Sequence, residues 1–140
     1  MSTIIRPEIS KKKPYHISKH RFYELKHFCM QYPEWKSEYD RLSIFAVGRP
    51  IGDLSGVKGV SGGDFVGERA SRLADLSRKM ELVRSVAVKS DDEIGWYIFM
   101  AVTEGLGFPV LKARYEVPCE KDMYYDRYRK FFFLLSGVRD

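Results

Sequence analysis

Close to the C-terminal end, the run KDMYYDRYRKFFFLL places Lys121, Tyr125 and Arg129 four residues apart. On a helix of 3.6 residues per turn, that spacing stacks side chains along one side. Arginine makes bidentate contacts to guanine and to phosphate, lysine mainly neutralises phosphate, and tyrosine can donate a hydrogen bond or stack. The chemistry on offer is recognition of a nucleic acid by binding. Lys130 adds a cation to the same helix, and Lys112 and Arg114 just before it are candidate contacts to the phosphate backbone. Asp122 and Asp126 work against this reading. They repel phosphates unless they pair with Lys121, Arg129 or Lys130, or accept from cytosine.

Other groupings of reactive residues explain themselves without chemistry. His16, His20, His27 and Cys29 are of metal-ligand type, but no second cysteine pair accompanies them and Cys29 falls on an apolar face. Asp91, Asp92 and Glu93 follow Ser90 as a capped helix start does. The glycine-rich GVKGVSGGDF lacks the Gly-Lys-Ser/Thr end of a phosphate-binding loop, and no serine sits in a nucleophile elbow. The chain is therefore expected to be no enzyme and to need no cofactor or metal. Cys29 and Cys119, far apart in sequence, read as reduced, small hydrophobes.

The elements that must carry the cations all look helical. From Ser18, a candidate N-cap, Phe22, Leu25, Phe28, Cys29 and Tyr32 recur at helical spacing. Pro33 bends the chain near Tyr32 and opens a second helix carrying Trp35, Tyr39 and Leu42 inward. Residues 48–63 hold 6 of the 11 glycines and read as a linker, because each glycine costs a helix about 1 kcal/mol relative to alanine. From Asp64 a long helix buries Val66, Ala70, Leu73, Leu76, Met80, Val83 and Ala87, supported by the pairs Glu68 to Arg72 and Asp75 to Lys79. Its near-heptad spacing also makes it a candidate surface for homodimerisation. The next helix starts at Ser90, turns Ile94, Tyr97, Ile98, Ala101 and Val102 inward, and ends at Gly105. Gly107 and Pro109 open a short helix. The last runs from about Lys121 to Gly137 and buries Tyr124, Tyr128, Phe131, Phe132 and Leu135, which leaves Phe133 as a candidate partner contact.

The organisation expected is a basic arm at 1–13, a helical segment at 14–47, the linker at 48–63, and a helical domain at 64–140. Its closing pair of helices has the order of a helix-turn-helix, in which one helix braces a second whose N-terminal turns enter the major groove. The formal charge of +5 is uneven. Residues 1–27 hold 7 Lys and Arg against 2 acids, residues 28–109 hold 10 against 12, and residues 110–140 hold 7 against 5. Basic charge thus gathers at the ends, where it would attract polyanions. No apolar run approaches the roughly 20 residues of a membrane helix, and the first residues lack the pattern of a secretory signal, so a cytoplasmic location is expected.

The segment AVTEGLGFPVLKARYEVPCEKDMYYDRYRKFFFLLSGVRD resembles the C-terminal half of small phage and prophage proteins of the ArpU/RinA-like late-gene regulator type, which in turn look like region four of sigma factors. KPYHISKHRFYELKHFCMQYPEWK resembles the start of a group of prophage proteins whose ends share YYDRYRKFF. The resemblance implies an all-α DNA-binding regulator in a bacterial host cytoplasm, with double-stranded DNA as partner and RNA polymerase or another host protein as a second candidate. The alternative is a protein-binding module, an inhibitor or a virion-assembly or packaging factor, that uses the aromatic C-terminal helix.

Overall fold

Ser18 sets the first helix. In the computed structural model, which describes residues 14–44 and 62–139, its hydroxyl accepts from the Arg21 backbone N–H at 3.2 Å and caps α1, Lys19–Met30. Phe22, Leu25, Phe28 and Cys29 are buried along its inner side. Gln31 ends it and α2, Tyr32–Ser43, begins at once, with Pro33 in the first turn where its missing N–H is not needed. The other helices are α3 (Gly62–Ser90), α4 (Gly95–Glu104), α5 (Phe108–Tyr115) and α6 (Lys121–Val138), and no strand occurs among the described residues. The expected all-α class is what the chain forms. The arm at 1–13 and the linker up to residue 61 lie outside the described residues, and Gly62 and Gly63 already belong to α3.

The described residues fall into two compact units. One takes residues 33–44 and 62–81, so the segment expected at 14–47 is divided after Tyr32. Within this unit Trp35, Leu76 and Met80 are buried, and Tyr39 and Leu42 are half-covered. Arg72 does not take the expected local partner. Its guanidinium grips both carboxylate oxygens of Glu38, each at 2.8 Å, and holds that carboxyl below its ordinary range. Asp75 does pair with Lys79, at 3.7 Å. Val66 and Ala70, expected inside, are exposed.

The other unit takes residues 14–32 and those from 82 on. Its core is Phe22, Leu25, Val83, Ile94, Ile98, Leu111, Val117, Tyr124, Phe131, Phe132 and Leu135, all of them fully buried. Ring packing and hydrogen bonds hold α1 against α6. Phe22 meets the Phe132 ring edge-on at 5.1 Å, and Arg21 donates to Ser136 through Nε at 3.0 Å and to the carbonyl oxygens of Ser136 and Arg139. Arg139 in turn lies over the Phe28 ring at 4.0 Å. Two of the basic residues near the chain ends are therefore structural.

The junction between α3 and α4 corrects the expected start at Ser90. That hydroxyl is buried and donates back to the Ala87 carbonyl at 2.6 Å, so it finishes α3. The N-cap of α4 is Ile94, without a side-chain cap, and it is Asp91 that secures the turn before it, its Oδ1 accepting from the Glu93 and Ile94 N–H groups at 2.7 and 2.9 Å. Gly95 then opens α4 directly against the Ala87 carbonyl, where a Cβ would stand 2.5 Å from the oxygen. Gly105 ends α4 at φ 72, the left-handed conformation glycine adopts without strain.

Candidate nucleic-acid interface

Gly107 and Pro109 start α5 as their types require, with glycine at the N-cap and proline in the first turn. Phe108 and Leu111 turn inward, while Pro109, Val110, Ala113 and Arg114 line a shallow outer surface. The chain reverses at Glu116, which takes a left-handed conformation at φ 54, and then drops Val117 fully into the core. Lys112 holds this turn. Its ammonium donates to the carbonyl oxygens of Val117 at 2.7 Å and Cys119 at 3.3 Å. Glu120 caps α6 through its backbone, and Phe108 stacks on Tyr124 at 4.9 Å to brace the two helices.

This arrangement leaves the first turn of α6 in solvent: Lys121, Asp122 and Met123 are all exposed. The helix starts where the sequence predicted and runs one residue past Gly137. Its proposed reading face is not a single exposed face. Lys121 is exposed, Tyr125 is half-buried against Phe108 and Tyr128, and Arg129 is buried at 5% exposure. The face that begins at Lys121 rotates toward α1, since Phe132, three residues beyond Arg129, packs on Phe22. Arg129 is therefore removed from the set of base contacts. Lys130 is half-buried and follows Lys121 by nine residues, about two and a half turns, so the two cations project from opposite sides of α6.

Of the backbone candidates, Arg114 is exposed and Lys112 is engaged by the turn it closes. The acids sort unequally. Asp126 pairs with Arg127, whereas Asp122 stays exposed in the first turn. Burial raises the Tyr125 hydroxyl above its ordinary pKa, against a hydrogen bond from the Phe108 backbone, and it remains a neutral donor. Phe133 is exposed as expected and meets the Tyr15 ring at 5.7 Å.

Two residues of importance here carried no local signal. Arg127 donates to Asp91 from 36 positions away, and Lys26 of α1 reaches an aromatic cleft formed with α4, α5 and α6. A scan against protein-family models, a search of curated proteins and a search of solved structures each found no match. Among the described residues no helix is long and apolar enough to cross a membrane, and both cysteines are free.

Proposed function

We propose that the α5–α6 pair is a helix-turn-helix that binds double-stranded DNA, and that the protein acts as a phage or prophage transcriptional regulator. One observation carries this reading. The pair is locked by Val117, Lys112 and the Phe108–Tyr124 stack, yet the N-terminal turn of its second helix projects freely, as groove entry requires. The resemblance to region four of sigma factors supports it. Arg114 and Lys121 are the phosphate contacts, Lys130 on the opposite side of α6 is not grouped with them, and Asp122 is a base contact suited to the cytosine amino group.

Fluorescence anisotropy on duplex DNA across a salt series tests the reading. Binding should weaken steeply with salt, and Lys121→Ala should reduce the log–log slope by about one. Failure to bind any duplex at micromolar protein and low salt would sink it.

A second reading, a protein-binding module of inhibitor or assembly type, is favoured by a different surface. Trp96 and Val88 are 58% and 56% exposed, and both lie beside the close approach at Gly95 where α3 meets α4. Nuclease-resistant co-purification of a partner, lost in Trp96→Ser, would support that reading over DNA binding.

A further inference from the structure

Behind the helix pair lies a cleft of about 250 Å³, walled by α1, α4, α5 and α6. Its rings are Phe108, Tyr124, Tyr125, Tyr128 and Phe132, and the one charged side chain among its lining residues is Lys26. The Lys26 ammonium has no carboxylate partner among the described residues, and lies 6.0 Å from the centre of the Tyr23 ring. The hydroxyl of Tyr124 is buried and unpartnered. A buried phenol without an acceptor is unfavourable, and the half-exposed Lys26 keeps a cation free beside the apolar wall. Burial also raises the Tyr124 and Tyr128 hydroxyls well above their ordinary pKa, so both remain protonated donors at neutral pH.

We infer that this cleft is a binding site for a small aromatic carboxylate, its ring lying against Phe108, Tyr125 and Tyr128 and its acid group facing Lys26. A mainly apolar cleft with a few polar groups is the ordinary form of a small-molecule site, and this one lies just below the usual size range, which limits it to a single-ring ligand. Planar rings suit its aromatic walls, which favour offset or edge-on stacking. The single uncompensated cation selects an anion over a neutral compound of the same shape. The inference does not rest on the DNA-binding reading, because none of the groups it uses is a proposed phosphate or base contact, although Phe108 and Tyr124 also brace the α5–α6 pair.

The test is a titration of the ¹⁵N-labelled full chain with benzoate, benzyl alcohol and acetate, reading the backbone amides of Gly105 and Gly107, which line the cleft. Benzoate should shift both amides saturably, benzyl alcohol should bind about tenfold more weakly, and acetate should leave them unmoved. Lys26→Met should abolish the preference for benzoate over benzyl alcohol, and Lys26→Arg should restore it. The inference is overturned if benzoate gives no saturable shift, if the two aromatic probes bind equally to the unaltered chain, or if Lys26→Met leaves the preference intact.

Discussion

Arg127 donates through Nε to Oδ2 of Asp91 at 2.9 Å, which ties the middle of α6 to the turn that begins α4. The other carboxylate oxygen accepts from the Glu93 and Ile94 N–H groups, so one side chain secures the turn that leads into α4 and a contact to α6 together. Removing it leaves two backbone donors without their acceptor and takes one of two carboxylate partners from Arg127, which keeps Asp126. Asp91→Ala should lower stability by about 2 kcal/mol at neutral pH, measured by urea denaturation.

The same group sets a pH dependence. Burial would raise the Asp91 pKa, but the Ile94 N–H, the Arg127 guanidinium and the Glu93 N–H outweigh it and hold the carboxyl below its ordinary value. A pKa lower in the folded than in the unfolded chain means that the unfolded chain takes up the proton first. The contribution is therefore complete above the unfolded value of about 3.9 and is lost as pH falls through the folded value. The stability difference between the natural chain and Asp91→Asn should be largest near pH 7 and shrink in urea titrations run below about pH 4. An unchanged difference would remove Asp91 from the acid response.

Two glycines should respond oppositely to alanine. A Cβ at Gly95 would stand 2.5 Å from the Ala87 carbonyl oxygen, a backbone atom that can yield only if α3 and α4 separate. Gly95→Ala should destabilise by about 1–3 kcal/mol. At Gly137, inside α6, nothing lies within 4 Å of the added carbon. Gly137→Ala should stabilise by about 0.5–1 kcal/mol through helix propensity. Thermal melts of the two variants should move in opposite directions.

What the sequence made legible was local. Ser18, Pro33, Gly105 and Gly107 act on backbone groups within four residues, so their types alone predicted the helix ends they form. The aromatic stripe of α6 was legible for the same reason, being a repeat along one element. Arg129 was misplaced because spacing alone does not reveal how far a neighbouring helix wraps around a stripe. Only the packing of α1 on α6 covers that side. Ser90 misled because Ser90 and Asp91 are both good capping types, and the choice between them depends on where α3 stops. The Arg127–Asp91 pair and the cleft behind Tyr125 join distant segments, for which no spacing rule exists.

Thiol reactivity should separate the cysteines. Burial pushes the Cys29 thiol up to about 12, only partly opposed by Arg139, while Cys119 is half-exposed and raised less, with Lys112 nearby. The thiolate is the nucleophile, so a disulfide reagent at pH 8 should modify Cys119 in the folded chain and Cys29 only after denaturation. A Cys119→Ser variant should then show no reactive thiol until urea is added. Rapid labelling of that variant without urea would mean that α1 opens readily from the core.

Arg129 gives the sharpest contrast between sequence spacing and structure. Its Nε is buried without a partner, and no carboxylate is paired with it among the described residues. A buried Nε–H without an acceptor weakens a fold, and an apolar side chain of similar length keeps its packing without that penalty. Arg129→Met should therefore be neutral to about 1 kcal/mol stabilising in thermal melts, and should leave duplex binding unchanged at every salt concentration. Lys121→Ala should do the reverse, with an unaltered melting temperature and weaker binding to random and specific duplexes alike. Loss of DNA affinity in Arg129→Met with stability intact would return Arg129 to the interface, and would show that α1 moves away from α6 when DNA binds.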